Sequence, residues 1–226
     1  MQASRSTDIT YMTMHTMKLP FIGGLETMTY GEFDLAMETG ASKSFIGCIN
    51  WQEYPYRPDV AFSVARSRTH LAALYHVRGL DLRAAALDDN GPVWEDSCCE
   101  MFVADPSDGT YYNFEMNCIG TLLAAKRTGR EDARPFTEEA LSRIVRHSTL
   151  SRKRHDLSDR IFGWSVAMIV PFDLIGVDPD RLPSSLRANF YKCGDRTAHP
   201  HFLSWSPIDV PSPDFHRPEF FGELTF

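Results

Sequence analysis

The stretch DSCCEMFVADPSDGTYYNFEMNCIG, residues 96–120, constrains the fold more than any other part of the chain. Two alternating runs flank DPSDG, and Asp, Pro, Ser and Gly are the residues that tight turns demand. The pattern predicts an antiparallel hairpin. Cys99, Met101 and Val103 form one apolar row; Tyr112, Phe114, Met116 and Cys118 form the other. Placing both rows on one face pairs Cys99 with Met116, Met101 with Phe114 and Val103 with Tyr112. A slip of one residue would set apolar side chains against polar ones, so burial selects this register.

The register has a consequence on the opposite face. It puts Cys98 opposite Asn117, Glu100 opposite Glu115 and Phe102 opposite Asn113. Two glutamates whose Cβ atoms are about 4.5–5.5 Å apart repel one another. A cation between them, a basic residue such as Arg187, a shared proton or the hydroxyls of a ligand would each compensate. Two solvated carboxylates splaying apart would need none of these. Asn113 and Asn117 beside them favour a polyol, because amides donate and accept together.

Further strand signals cover 42–50, 59–67, 69–79, 120–127, 160–171, 185–194 and 219–226, joined by turn-rich segments. FTEEALSRIVRH, 136–147, predicts a helix with Thr137 as its N-cap. Many short strands and little helix predict an all-β chain, an antiparallel β-sandwich of jelly-roll-like kind with one or two short helices. No break in composition divides it, so 1–226 reads as one domain, with 1–40 as an irregular N-terminal extension.

The net charge of −7 argues against a nucleic-acid partner. The sequence has no apolar run long enough to span a membrane. Its first residues lack the apolar core of a signal peptide, and the expectation is a cytoplasmic location. Five cysteines, an odd count without a CxxC pair, suggest reduced and mostly buried thiols rather than a disulfide framework.

In SLRANFYKC a second polar row, Arg187, Asn189 and Tyr191, alternates with Leu186, Ala188 and Phe190. It suits either an exposed edge strand or an extension of the polar face. A pyranose offers an apolar face for an aromatic ring and hydroxyls for short polar groups. Trp94, in the turn-rich GPVWEDS, and Trp205, in FLSWSPI, are the loop-proximal candidates for such platforms; Trp164 lies in an apolar row and should be core.

The segments VWEDSCCEMFV, YYNFEMNCIGT and LSWSPI with the closing FHRPEFFGELTF resemble carbohydrate-binding module family 9 and its stand-alone relatives. The similarity runs from about residue 42 to the C-terminus, and the Trp94–Glu100 element is its most specific part. The resemblance implies an antiparallel β-sandwich and a non-catalytic protein. Such a protein would recognise a mono- or oligosaccharide, or a chain end, between Trp94 and Trp205 as platforms. Glu100 and Asn117 match the family's hydroxyl-binding positions. Glu115 stands where the xylanase-linked modules carry an arginine, which replaces a donor with an acceptor. Family relatives are often secreted. Calcium also occurs in the family, and the loops LDDNGP and ADPSDG are rich enough in oxygen to hold a structural ion. The resemblance requires no other cofactor, and it leaves the oligomeric state open.

Two further functions fit parts of the pattern. Glu100 and Glu115 could form the acid/base pair of a glycoside-acting enzyme, although adjacent cross-strand residues approach a ligand from one side only. CGDRTAHPH offers Cys193, Asp195, His199 and His201, with His216 beyond, for a metal or haem. Their spacing matches no common zinc pattern, and Met101 and Met116, as haem ligands, fall on the predicted core row.

Overall fold

The computed structural model describes residues 14–105 and 108–226. In chain order the elements are β1 (Thr16–Lys18), α1 (Tyr30–Gly40), β2 (Ser42–Phe45), β3 (Cys48–Ile49), β4 (Asp59–Arg66), β5 (His70–Gly79), β6 (Leu82–Ala84), β7 (Cys98–Ala104), β8 (Tyr111–Asn117), β9 (Leu122–Arg127), β10 (Ala133–Pro135), α2 (Glu138–Ser142), β11 (Val145–Ser148), β12 (His155–Leu157), β13 (Phe162–Pro171), β14 (Ser185–Cys193), β15 (Phe202–Ser204) and β16 (Gly222–Thr225). One sheet runs β1-β16-β14-β7-β8-β9-β10, with β15 and β3 attached beside β14. A second runs β11-β13-β5-β4-β2, and β6 pairs with β12 apart from both. The chain is an all-β sandwich.

The β7–β8 ladder has the register that the sequence predicts, from Cys98 opposite Asn117 to Ala104 opposite Tyr111. Its apolar row faces inward. Cys99, Met101, Val103, Tyr112, Phe114 and Met116 meet Phe62, Tyr75, Trp164, Val166 and Met168 from the second sheet. Tyr75 spans the two layers, its hydroxyl donating to the Glu100 carbonyl at 2.9 Å. A buried phenol must find a partner, and this one ties the second sheet to the strand that carries Glu100.

Neither sheet leaves its outer face wholly to solvent. The outer face of the first sheet carries a second apolar cluster. Phe102, Tyr111 and Tyr191 lie under Trp51, Val93, Ile208, Phe215 and Phe221. The outer face of the second sheet is covered by α1, whose Phe33 and Met37 sit on Ala65, Ala72, Ala167, Leu74 and Ile169. Alanines at three of those positions let the helix approach closely. Within the described residues, 14–40 is therefore not an irregular extension. It adds β1 to the sheet and holds the longest helix, begun by a capping box between Thr29 and Glu32.

The predicted helix over 136–147 is shorter than its pattern. Thr137 caps it as expected, accepting from the Ala140 amide at 3.2 Å. It ends at Ser142, because Val145–Ser148 pairs with β13 as a strand. β1 lies parallel to β16, Thr16 opposite Glu223, so segments near the two ends of the chain share one ladder.

Candidate functional site

Three strands bring the site's floor together. Glu100 on β7 lies opposite Glu115 on β8 and opposite Tyr191 on β14, so all three point to the outer face. Cys193 stands one row away, opposite Cys98. Above this row opens a cleft of about 480 Å³, within the range of small-molecule sites. Trp94, Tyr54, Phe202 and Phe215 give it aromatic walls, and Arg127, Arg130, Asp195 and Asp214 add charged groups to its lining.

Trp94 is held by its backbone, yet the residue stays 39% exposed. It sits in a 3-10 turn over Val93–Glu95, whose Val93 is fully buried. Its carbonyl accepts from the Asp195 amide at 3.2 Å. Asp96 anchors the next residues. Its buried carboxylate accepts from the amides of Ala85 and Ala86 at 2.9 and 3.0 Å and from the Asn117 side chain at 3.0 Å. Asn117 also accepts from Ile119 and Thr121 and donates to the Ala86 carbonyl. It is a fully buried brace for the β8–β9 turn and does not line the cleft.

The two glutamates face each other as expected, but they are almost fully enclosed, Glu100 at 2% and Glu115 at 5% exposure. Burial raises both carboxyls. Glu100 is held well above the usual carboxylate range by desolvation, with Cys193 and Glu115 adding to it. The Cys193 thiol approaches its Oε1 at 3.0 Å. Glu115 is pushed up to about 7, again by desolvation; the Asn113 hydrogen bond and the charge of Arg127 act in the opposite sense. A protonated Glu100 removes the like-charge repulsion that the register creates. Asp195 is raised to about 6 by the same crowding.

Asn113 is fully buried and works as a relay. It donates to Glu115 Oε1 at 2.8 Å and accepts from Arg127 Nε at 2.8 Å. Arg127 thus supplies, from β9, a donor fork beside Glu115. The sequence reading missed it, although the alternation of LLAAKR places Arg127 opposite Tyr111 on the outer face. It also missed Tyr54, Phe202 and Phe215, and it considered His216 only as a metal or haem ligand; all four line the cleft from loops and short strands without a periodic pattern. Tyr111 reaches the His216 ring at 3.0 Å, and the imidazole is driven down to about 3 by burial, so it is neutral.

Besides Asn117, three further expected residues lie elsewhere. Trp205 is 3% exposed and points between the sheets, 5.7 Å from the Phe190 ring and 6.0 Å from Phe62. It cannot serve as a platform; the Pro-rich stretch after it suggested a loop, but its own amide binds the Phe190 carbonyl. Asn189 is buried and holds Ser206 through both ends of its amide. Arg187 donates to the carbonyls of Glu219 and Phe221 rather than to the glutamates.

The histidines do not converge on a metal or haem. His199 pairs with Asp81 at 3.0 Å, His201 with Lys192 at 2.8 Å, and His216 with Tyr111. Met101 and Met116 are both in the inter-sheet core. Of the acids in the two candidate calcium loops, Asp89 is bonded to Arg146, and Asp105 and Asp108 to Lys126. No helix among the described residues is long and apolar enough to cross a membrane.

A two-sheet β fold with an aromatic-walled, hydrogen-bonding cleft on the outer face of one sheet defines a ligand-binding module. Residues 33–226 match the model of carbohydrate-binding family 9, and the chain belongs to that family. A protein of Bacteroides uniformis proposed to bind carbohydrate shares 33% identity, covering 95% of this chain and 100% of its own, with a TM-score of 0.84. Family 9 modules of Caldicellulosiruptor kristjanssonii, solved with glucose and with cellotriose, share the fold at 12% identity. Their TM-scores are 0.57 and 0.56, each covering 93% of this chain and 95% and 93% of their own. No curated protein sequence matches.

Proposed function

We propose that the chain binds a mono- or short oligosaccharide, or a chain end, without cleaving it, in the cleft between Trp94 and the Glu100–Glu115 floor. The observation that carries this is Trp94 itself, a large aromatic ring left open to solvent beside buried hydrogen-bonding groups, while Trp51, Trp164 and Trp205 are all buried. The ring offers an apolar face for a pyranose. Glu115 and Arg127 offer an acceptor and a donor fork for its hydroxyls, and Asn113 positions both. The glucose and cellotriose held by the Caldicellulosiruptor modules support a glucan-type ligand.

Glu100 and Glu115 rise from one face of one sheet, which suits binding better than hydrolysis; glycosidases need their carboxyls on opposite sides of the bond. Calorimetric titration with glucose, cellobiose, cellotriose and xylobiose, with and without calcium, tests the reading. Binding by wild type that is lost in Trp94→Ala, with the disaccharide recovered intact, is the expected result. Binding unchanged in Trp94→Ala would overturn the site, and cleaved disaccharide would replace it with the hydrolytic reading.

A further inference from the structure

Sugar binding leaves two thiols without a task, Cys193 on the cleft floor and Cys98 behind it. Cys98 and Glu100 are two residues apart on β7 and share its outer face; Cys193 stands opposite Cys98 on β14. Cys98 Sγ, Cys193 Sγ and a Glu100 carboxylate oxygen all lie within 4.8 Å of one another. All three residues are at most 2% exposed. No other three His, Cys, Asp or Glu side chains among the described residues converge in this way. Cys99 and Cys118 belong to the inter-sheet core, and the Cys48 thiol lies against the Trp205 carbonyl at 3.3 Å.

A tetrahedral zinc with bonds of about 2.3 Å to sulfur and 2.0–2.2 Å to oxygen holds its ligand atoms about 3.5–3.8 Å apart. The three atoms here lie within 4.8 Å of one another, with Cys193 Sγ 3.0 Å from Glu100 Oε1, so side-chain adjustment of about an ångström closes them on an ion. Cys193 and Glu100 line the cleft while Cys98 sits behind them, so the cleft gives a path in and leaves a fourth position open. Two thiolates select soft or borderline cations over calcium and magnesium.

We propose that Cys98, Cys193 and Glu100 form a binding site for a soft divalent cation of the zinc–cadmium class, with its fourth position facing the cleft. On binding, two metal–sulfur bonds form as two S–H bonds break. The thiol protons, and that of the carboxyl where it is protonated, leave to solvent, and nothing is oxidised or reduced.

The test uses the whole chain, reduced beforehand and freed of metal, titrated with cobalt(II) and cadmium(II) under argon. Cobalt should give the visible bands of a tetrahedral thiolate site, and cadmium an ultraviolet thiolate band that saturates at one equivalent. Loss of an outer partner of a metal site already weakens binding about 10–100-fold. Cys98→Ala and Cys193→Ala should therefore each weaken cadmium by about 100-fold or more, and Cys48→Ser should leave it unchanged. No thiolate band in the wild type overturns the proposal, a result that needs no variant to fold. Bands that persist in both alanine variants, or that vanish in Cys48→Ser, overturn it equally. None of these readouts involves a sugar, so failure here leaves the carbohydrate reading standing.

Discussion

Glu115→Gln removes one proton equilibrium from the cleft floor and leaves its shape in place. Glutamine has the volume of the neutral acid, and its Oε1 can still accept from Asn113. In the folded protein the carboxyl is raised from 4.5 to about 7. A raised carboxyl gives stability that is fully present below its unfolded value, near 4.5, and is lost as the pH climbs through 7. At about 1.36 kcal/mol per unit the loss is about 3 kcal/mol for the wild type at pH 8. Glu100 and Glu115 titrate as a pair, so the figure belongs to the pair. Other groups move in the same window. Asp195, raised to about 6, acts in the same direction. His201 and His216, both lowered by burial, give stability above 6.5 that is lost as the pH falls. The difference between variant and wild type cancels those shared contributions. Urea unfolding at half-unit steps from pH 5 to 8.5 should show near-equal stability at pH 5 and a variant more stable by about 2–3 kcal/mol at pH 8. A variant less stable than wild type at pH 8 would show Glu115 to be an ionised partner of Arg127, and the reasoning would fail.

Trp94→Ala should lose sugar binding yet change stability by less than about 1 kcal/mol, whereas Trp205→Ala should cost about 3–5 kcal/mol in denaturant unfolding. Asp96→Ala leaves the Ala85 and Ala86 amides without acceptors and takes one of two acceptors from the Asn117 side chain, and a loss of about 3 kcal/mol or more is expected by thermal and urea melts. Gly222→Ala would place a Cβ 2.5 Å from the Trp205 ring and 2.6 Å from the His15 carbonyl; a cost of about 1–3 kcal/mol is expected, and a neutral melting temperature would contradict the packing.

The hairpin register was legible because three apolar pairs had to agree, and burial penalises any slip. β13 and β14 were legible for the same reason, their alternate residues falling into the inter-sheet core. What could not be read was the second layer of burial. Tyr111, Asn113, Glu115 and Asn117 look like a solvent-facing row, since polar residues on alternate positions usually are. Here Tyr111 is roofed by Trp51, Val93, Ile208, Phe215 and Phe221, and Asn117 is enclosed by Ala86 and Asp96, loop residues that follow no strand period and so leave no mark in a pattern search. Trp94 was legible from its turn-rich neighbours. Trp205 misled for that reason, as its Pro-rich flank is a loop while its ring fills the core. The long N-terminal helix escaped because its buried apolar residues, Phe33 and Met37, are few, Leu35 being exposed, and the alanines that receive it lie on three distant strands.

The ladder between β1 and β16 has a consequence for how the protein is made. β16 lies between β1 and β14, so β1 has no place in the sheet until β16 has been delivered, and these partners are separated by most of the chain. Pairings between such remote segments are the slowest to form. On a ribosome, β1 must wait unpaired until β16 has been made. A half-made chain therefore presents an edge that the finished protein conceals, and the moment of greatest exposure to misassembly comes just before β16 emerges.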